Sequence, residues 1–86
     1  MPAGGEDSMA HVAFLMVSLD GNTPGQVARE VRAIAGVSEA HATMGDYDVI
    51  AVLRAEHTRD IPRITAEIRK VHGVVKIVSC VAVDSA

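Results

Sequence analysis

The residues best equipped for chemistry lie together near the middle of the chain, in Thr43-Met44-Gly45-Asp46-Tyr47-Asp48-Val49-Ile50. A turn needs only Gly, Asn, Asp or Pro; this one adds an aromatic hydroxyl and a second carboxylate. Two carboxylates beside a glycine suit a ligand with an ammonium group, because each can accept charge-assisted hydrogen bonds. A purely structural reading stands beside that one. Gly45-Asp46 in a type I′ or similar hairpin needs no ligand. Asp48 is equally able to take backbone N–H groups at the bend. Tyr47, the single tyrosine of the chain, also suits an interface anchor.

Outside that stretch the chain offers little reactive chemistry. His11, His41, His57 and His72 fall on different predicted elements, with no i,i+4 pair and no adjacent cysteine, so no metal or other cofactor is expected. His72, just before Gly73, complements the carbonyl end of a helix. Cys80 sits in an apolar run and reads as a small core residue. No Ser/His/Asp or Cys/His spacing points to nucleophilic catalysis, and the expectation is a protein that is not an enzyme. Arg29, Arg32, Arg63, Arg69 and Lys70 stand among Glu30 and Glu67 as solvated helix faces.

The bulk composition narrows the class. With 86 residues the chain is one small domain. Hydrophobic residues make up 49% of it, yet it has one Phe, one Tyr and no Trp, so its core must be Val, Ile, Ala, Leu and Met. A net charge of −3 without a basic cluster argues against direct nucleic-acid binding. A single cysteine excludes an internal disulfide and suits a reducing cytoplasm. No apolar stretch reaches the roughly 18–20 residues of a membrane span, and no signal peptide is evident. Residues 1–9 read as a flexible leader, with Met9 as an alternative start, and residues 10–84 as the domain.

An internal repeat at an offset of 37 residues organises that domain. Residues 28–37 align with residues 65–74, with Glu30/Glu67, Arg32/Arg69, Gly36/Gly73 and Val37/Val74 identical and Val27/Ile64, Val31/Ile68 and Ile34/Val71 matched in character. Two copies suit a pseudo-twofold domain of similar halves. In the first half, residues 10–19 form a strand. Thr23 caps a helix with Pro24 first and Gln26 completing a capping box, Gly36 stops it, and residues 37–44 form a second strand. In the second half, residues 47–54 form a strand, Asp60 caps a helix that tolerates Pro62 in its first turn, Gly73 stops it, and residues 74–83 form the last strand. The order βαββαβ with a two-residue central hairpin predicts a ferredoxin-like α+β fold, its four-stranded antiparallel sheet covered by two helices on one face.

Strands covered on one face should alternate apolar and polar. Here three of them do not: residues 12–17, 49–53 and 77–83 are apolar on both faces, Ser79 apart. Leaving one face wet would expose more apolar area than monomers normally tolerate. The expectation is a homodimer with the open sheet faces packed together, a dimeric α/β-barrel-like arrangement.

These features together resemble a known family. The order βαββαβ, the central Gly45-Asp46-Tyr47-Asp48 after Thr43, and the two Gly-Val junctions are similar to the effector-binding (RAM) domain of Lrp/AsnC regulators. The resemblance covers roughly residues 10–83. Family members usually carry an N-terminal winged helix-turn-helix, so the expectation is a stand-alone form. The resemblance implies dimers through the sheet faces, rings of dimers above them, and a site for an amino acid or similar small molecule where dimers meet. It puts Gly45, Asp46, Tyr47 and Asp48 at that site, with Ser79 at a position where the family often has a hydroxyl. The companion hydroxyl two residues earlier is Ile77 here. A full-length Lrp/AsnC regulator is an implied partner.

Two other readings compete. Thr23-Pro24-Gly25 after the Asp20-Gly21-Asn22 turn resembles the opening of the first helix in ACT ligand-binding domains, which bind near that turn. A small dimeric α+β-barrel enzyme would want a cavity lined by His or aromatic groups, and the chain has one Phe and one Tyr. The tyrosine and paired acids at the central hairpin favour the RAM reading over both.

Overall fold

The computed structural model describes residues 10–83; the expected leader over residues 1–9, the alternative start at Met9 and the domain end at residue 84 lie outside the described residues. The elements run β1 His11–Leu19, α1 Pro24–Arg32, β2 Val37–Ala42, β3 Val49–Ala55, α2 Asp60–Arg69 and β4 Val74–Val81. The strands form one antiparallel sheet in the order β2-β3-β1-β4. This is the ferredoxin-like arrangement the βαββαβ order predicts.

Strand periodicity sorts the side chains between two faces. Ala13, Leu15 and Val17 of β1 and Val49, Ala51, Leu53 and Ala55 of β3 point to the helices and are buried. Val27, Ala28 and Val31 of α1 and Ile61, Ile64 and Ile68 of α2 close over them at helical spacing. No aromatic residue takes part. The alanines at 13, 40 and 51 let the helices seat close to the sheet, and no polar or charged side chain among the described residues is buried between the layers.

The helix starts differ in detail from the sequence expectation. Thr23 Oγ1 accepts from the Gln26 amide at 3.4 Å, so half of the capping box forms. The other half does not: Gln26 Nε2 donates to Glu30 at 2.9 Å, and the Thr23 amide donates to Asn22 Oδ1 at 2.8 Å instead. Asp60 is not the cap of α2 but its first residue. Arg59 holds the cap position with helical backbone angles and makes no side-chain cap bond. The tight turn before it, with Asp60 N donating to His57 O at 3.0 Å and Ile61 N to Thr58 O at 3.1 Å, runs straight into the helix. It leaves no extended residue from which a side chain could cap. Asp60 instead faces Arg63, 3.5 Å away, and Pro62 sits in the first turn as expected.

The repeated Gly-Val junctions join the halves crosswise. Gly36 joins α1 to β2 in the first half at φ +98°, and a β-carbon there would collide with the Ile64 side chain of α2. Gly73 joins α2 to β4 in the second half at φ +96°, and a β-carbon there would meet Asn22 in the β1–α1 turn. Their carbonyls accept from the ends of the central strands: Asp20 N reaches Gly73 O at 2.8 Å and Arg54 N reaches Gly36 O at 3.1 Å. Each junction therefore needs a glycine for its angle and for its neighbour. Gly36→Ala is expected to lose about 2 kcal/mol of stability in urea denaturation, from the positive φ alone and before any shift of Ile64. Gly25→Ala, at the second position of α1 with nothing within 4 Å of its added carbon, should instead be neutral or gain up to about 1 kcal/mol.

Candidate functional site

The central hairpin is wider than a two-residue turn. β2 ends at Ala42 and β3 begins at Val49, leaving residues 43–48 as the connection. A type I′ turn on Gly45-Asp46 would need positive φ at both residues. Gly45 has φ +131°, but no non-glycine residue among those described is positive. The loop is closed by other means. Thr43 N donates to Asp48 O at 2.9 Å, and Thr43 Oγ1 donates to Tyr47 O at 2.8 Å. Asp48 N turns away from β2 and donates to Val17 O of β1 at 2.9 Å.

Asp48 takes a backbone N–H with its side chain as well. Its Oδ2 accepts from the Leu19 amide at 2.8 Å in a partly buried setting. The backbone contact expected for this acid is present, but with Leu19 of β1 and not with an amide of the bend. Gly45 and Asp46 are exposed at the tip, beside a Met44 that is 100% exposed, and Tyr47 is half-buried at the loop's return. No ion pair among the described residues involves Asp46 or Asp48.

Ser79 lies elsewhere. It is exposed on β4 opposite Leu15, while Ile77 is opposite Val17. Asp48 lies beside Val17–Leu19, two strands and about three residues away, which at ~4.8 Å per strand and ~3.3 Å per residue is roughly 14 Å. Gly45, Asp46, Tyr47 and Asp48 thus form one local unit, and Ser79 is separate from it within a single chain. Thr43 and the Leu19 amide are the contributors that the sequence reading missed. A hydroxyl at a strand end was visible as a signal; the Leu19 partner, 29 residues from Asp48, had none.

The face of the sheet away from the helices carries Val12, Phe14 and Met16 of β1. In register beside them stand Ile50 and Val52 of β3 and Val78 and Cys80 of β4. Phe14, the chain's one phenylalanine, is 42% exposed there, and Cys80 is exposed rather than in the core. Charged groups rim this patch: Glu39 and His41 of β2, 3.1 Å apart, then Arg54 of β3 and Lys76 of β4. Among the described residues no group of three or more His, Cys, Asp or Glu side chains could hold a metal ion. No described helix is long and apolar enough to cross a membrane.

A ferredoxin-like sheet covered on one face hosts many unrelated functions, so the class of this chain, a regulatory ligand-binding module, is drawn from its family. The chain belongs to the Lrp/AsnC family: the family model described as the Lrp/AsnC ligand binding domain matches residues 12–86. It is 30% identical over 82 residues to an HTH-type transcriptional regulator of Pyrococcus abyssi, covering 91% of this chain and 55% of that protein. It is also 30% identical over 79 residues to one from Pyrococcus horikoshii, covering 87% and 53%. The chain thus spans about half the length of these curated relatives. Among solved structures, AsnC of E. coli superposes with a TM-score of 0.81 at 10% identity, covering 98% of this chain and 58% of that one. A transcriptional regulator of Neisseria meningitidis, solved as its L-Met complex, gives 0.75 at 16% identity over 98% and 56%. A Thermus thermophilus protein gives 0.79 at 20% identity over 86% and 94%. At these identities the likeness is one of fold.

The hairpin bonds make a local prediction. Thr43→Val keeps the shape of the side chain but removes the 2.8 Å bond to Tyr47 O, which should cost about 1 kcal/mol. Amide hydrogen exchange at residues 43–48 should quicken by roughly fivefold, while Leu15 and Leu53 stay among the slowest sites.

Proposed function

We propose that this chain is an amino-acid-binding and assembly domain that acts on transcription or amino-acid metabolism through partner proteins. The observation that carries the reading is the hairpin at residues 43–48. It is tied down by hydrogen bonds on both sides yet presents an open backbone at Gly45 and two carboxylates without a cationic partner among the described residues. A free amino acid is the complementary ligand: its ammonium meets a hairpin carboxylate, Asp46 or Asp48, and its carboxylate meets backbone N–H near Gly45. Tyr47 lines the site. Ser79 joins it from a second subunit, since it is remote from the hairpin of its own chain. The Neisseria meningitidis regulator with bound L-Met supports an amino acid as the ligand class.

The assembly half of the reading rests on the open sheet face. Val12, Phe14, Met16, Ile50, Val52 and Val78 form a continuous apolar surface, and burying each large side chain fully is worth about 1.5–3 kcal/mol. A second copy of the same face is the self-complementary partner, giving a homodimer, with rings of dimers placing hairpins at the contacts between them. A full-length Lrp/AsnC regulator, carrying the same domain, is the natural hetero-partner. The reducing cytoplasm suits an exposed Cys80 on this face.

The competing readings find less support. In the β1–α1 turn, where an ACT-type ligand would sit, Asn22 Nδ2 already donates to His72 O at 2.8 Å and Asp20 N to Gly73 O at 2.8 Å. A barrel enzyme would need polar groups between sheet and helices, and that layer among the described residues is aliphatic.

Two measurements test the reading. A panel of the twenty amino acids in a thermal-shift assay should contain at least one that raises the melting temperature by several degrees at millimolar concentration; a flat panel sinks the ligand assignment. Val52→Asp puts a carboxylate in the middle of the open face, opposite Phe14, and burying it unpaired would cost several kcal/mol. Light scattering should find wild type dimeric or larger and the variant monomeric but folded; a variant that stays dimeric removes the sheet face as the contact.

A further inference from the structure

We infer that Asp48 is the positioning residue of the hairpin site and not the counter-ion of the ligand. The inference rests on the amino-acid-binding reading and assigns the role of one residue within it. Asp48 is bonded three ways. Its carbonyl accepts from Thr43 N at 2.9 Å, its amide donates to Val17 O at 2.9 Å, and its Oδ2 accepts from Leu19 N at 2.8 Å. Val17 and Leu19, two apart on one strand, turn their backbones to the same side. Val17 O meets Asp48, so that side is the one facing β3. Continuing the β1–β3 register would set Leu19 against Tyr47, whose carbonyl accepts from Thr43 Oγ1 at 2.8 Å, while the Leu19 amide goes to the Asp48 carboxylate. That contact extends the β1–β3 ladder by one rung past the start of β3.

That rung holds more than the hairpin. Leu19 stands where the β1–β4 register shifts, between Ser18 and Leu19. The next residues along carry the bonds from Asp20 N to Gly73 O and from Asn22 Nδ2 to His72 O, which fix the β1–α1 turn against the α2–β4 junction. A ligand ammonium drawing the Asp48 carboxylate to itself would compete with the Leu19 amide and loosen the loop that presents the site. Asp46, exposed at the tip and without an ion-pair partner among the described residues, has no such duty. Asp48 therefore acts on the ligand through the position of Tyr47 and the Gly45 backbone. What it supplies is an acceptor oxygen, and a negative charge is not required.

Asparagine separates these properties, because its side-chain carbonyl accepts a hydrogen bond at nearly the same place without the charge. The test compares wild type, Asp48→Asn and Asp48→Ala at a temperature where all three are folded by circular dichroism. Calorimetric titration uses the amino acid that gives the largest thermal shift with wild type, and amide exchange is followed in parallel. Asp48→Asn should bind within about threefold of wild type and Asp48→Ala about tenfold or more weakly, the size of one lost hydrogen bond to a charged acceptor. Exchange at Leu19 and residues 43–48 should quicken in Asp48→Ala and hold near wild type in Asp48→Asn. If Asp48→Asn loses binding as fully as Asp48→Ala while its hairpin exchange stays at the wild-type rate, the carboxylate is the counter-ion and the inference fails. If wild type binds no amino acid, the ligand reading fails, and the exchange pattern alone then decides the positioning role: equal quickening in both variants, or none in either, overturns it.

Discussion

A four-stranded sheet has two faces, and the two helices among the described residues cover one of them. The distribution of every large side chain in the domain answers to that constraint. The helix side is filled with small and medium aliphatic residues, Ala13, Leu15, Val17, Ala51 and Leu53, which let α1 and α2 pack directly on the strands. The bulkier apolar groups of β1, Phe14 and Met16, lie on the other side. In a domain meant to stand alone the one aromatic hydrocarbon would be expected inside, where its area is worth most. Its place on the outer face, flanked in register by Val52 and Cys80, leaves half of the sheet's apolar surface uncovered among the described residues. A core without aromatics in so small a domain is also modest in what it can stabilise.

The two halves reinforce each other by exchange. Gly36, between α1 and β2, packs against Ile64 of the second half, and Gly73, between α2 and β4, packs against Asn22 of the first. The central strands β1 and β3 pair with each other over seven register positions, His11↔Ala55 to Val17↔Val49. Neither half could bury its helix or satisfy its strand ends without the other. The hairpin at residues 43–48 is the covalent joint between them, and Asp48 ties that joint back to β1 by both main chain and side chain. The loop is thus anchored at its base and open at its tip, a division set by which of its residues have partners.

Periodic features are legible in the sequence and single contacts are not. The repeat and the glycine stops lead to the right order of elements, because apolar spacing and φ-demanding glycines are local properties that packing then uses. The doubly apolar strands show in the same way: Val12, Phe14, Met16 and Val52 occupy the face the alternation assigns them. The hairpin escapes such a reading because Gly45-Asp46 has the composition of a tight turn, while Asp48 is held by Val17 and Leu19, whose proximity no local pattern encodes. Asp60 departs from its expected place for a related reason. Its residue type suits a cap, but the turn starting at His57 enters the helix already coiled. Cys80 belongs to an apolar run that suggests a core position, yet its strand is an edge and its side chain faces outward.

The link between hairpin and sheet bears on how such a module could report a ligand. β3 borders both regions: Val49 follows the hairpin directly, and Ile50 and Val52 belong to the open face. A ligand that favours one hairpin geometry therefore also favours one placement of the start of β3 and of the Leu19 end of β1. Two linked equilibria of this kind need no long pathway, because the same strand carries both contacts. The coupling can be no larger than the difference in ligand affinity between the assembled and separate states. For a hairpin that binds as proposed, the few hydrogen bonds holding it, worth about 1 kcal/mol each, match that range.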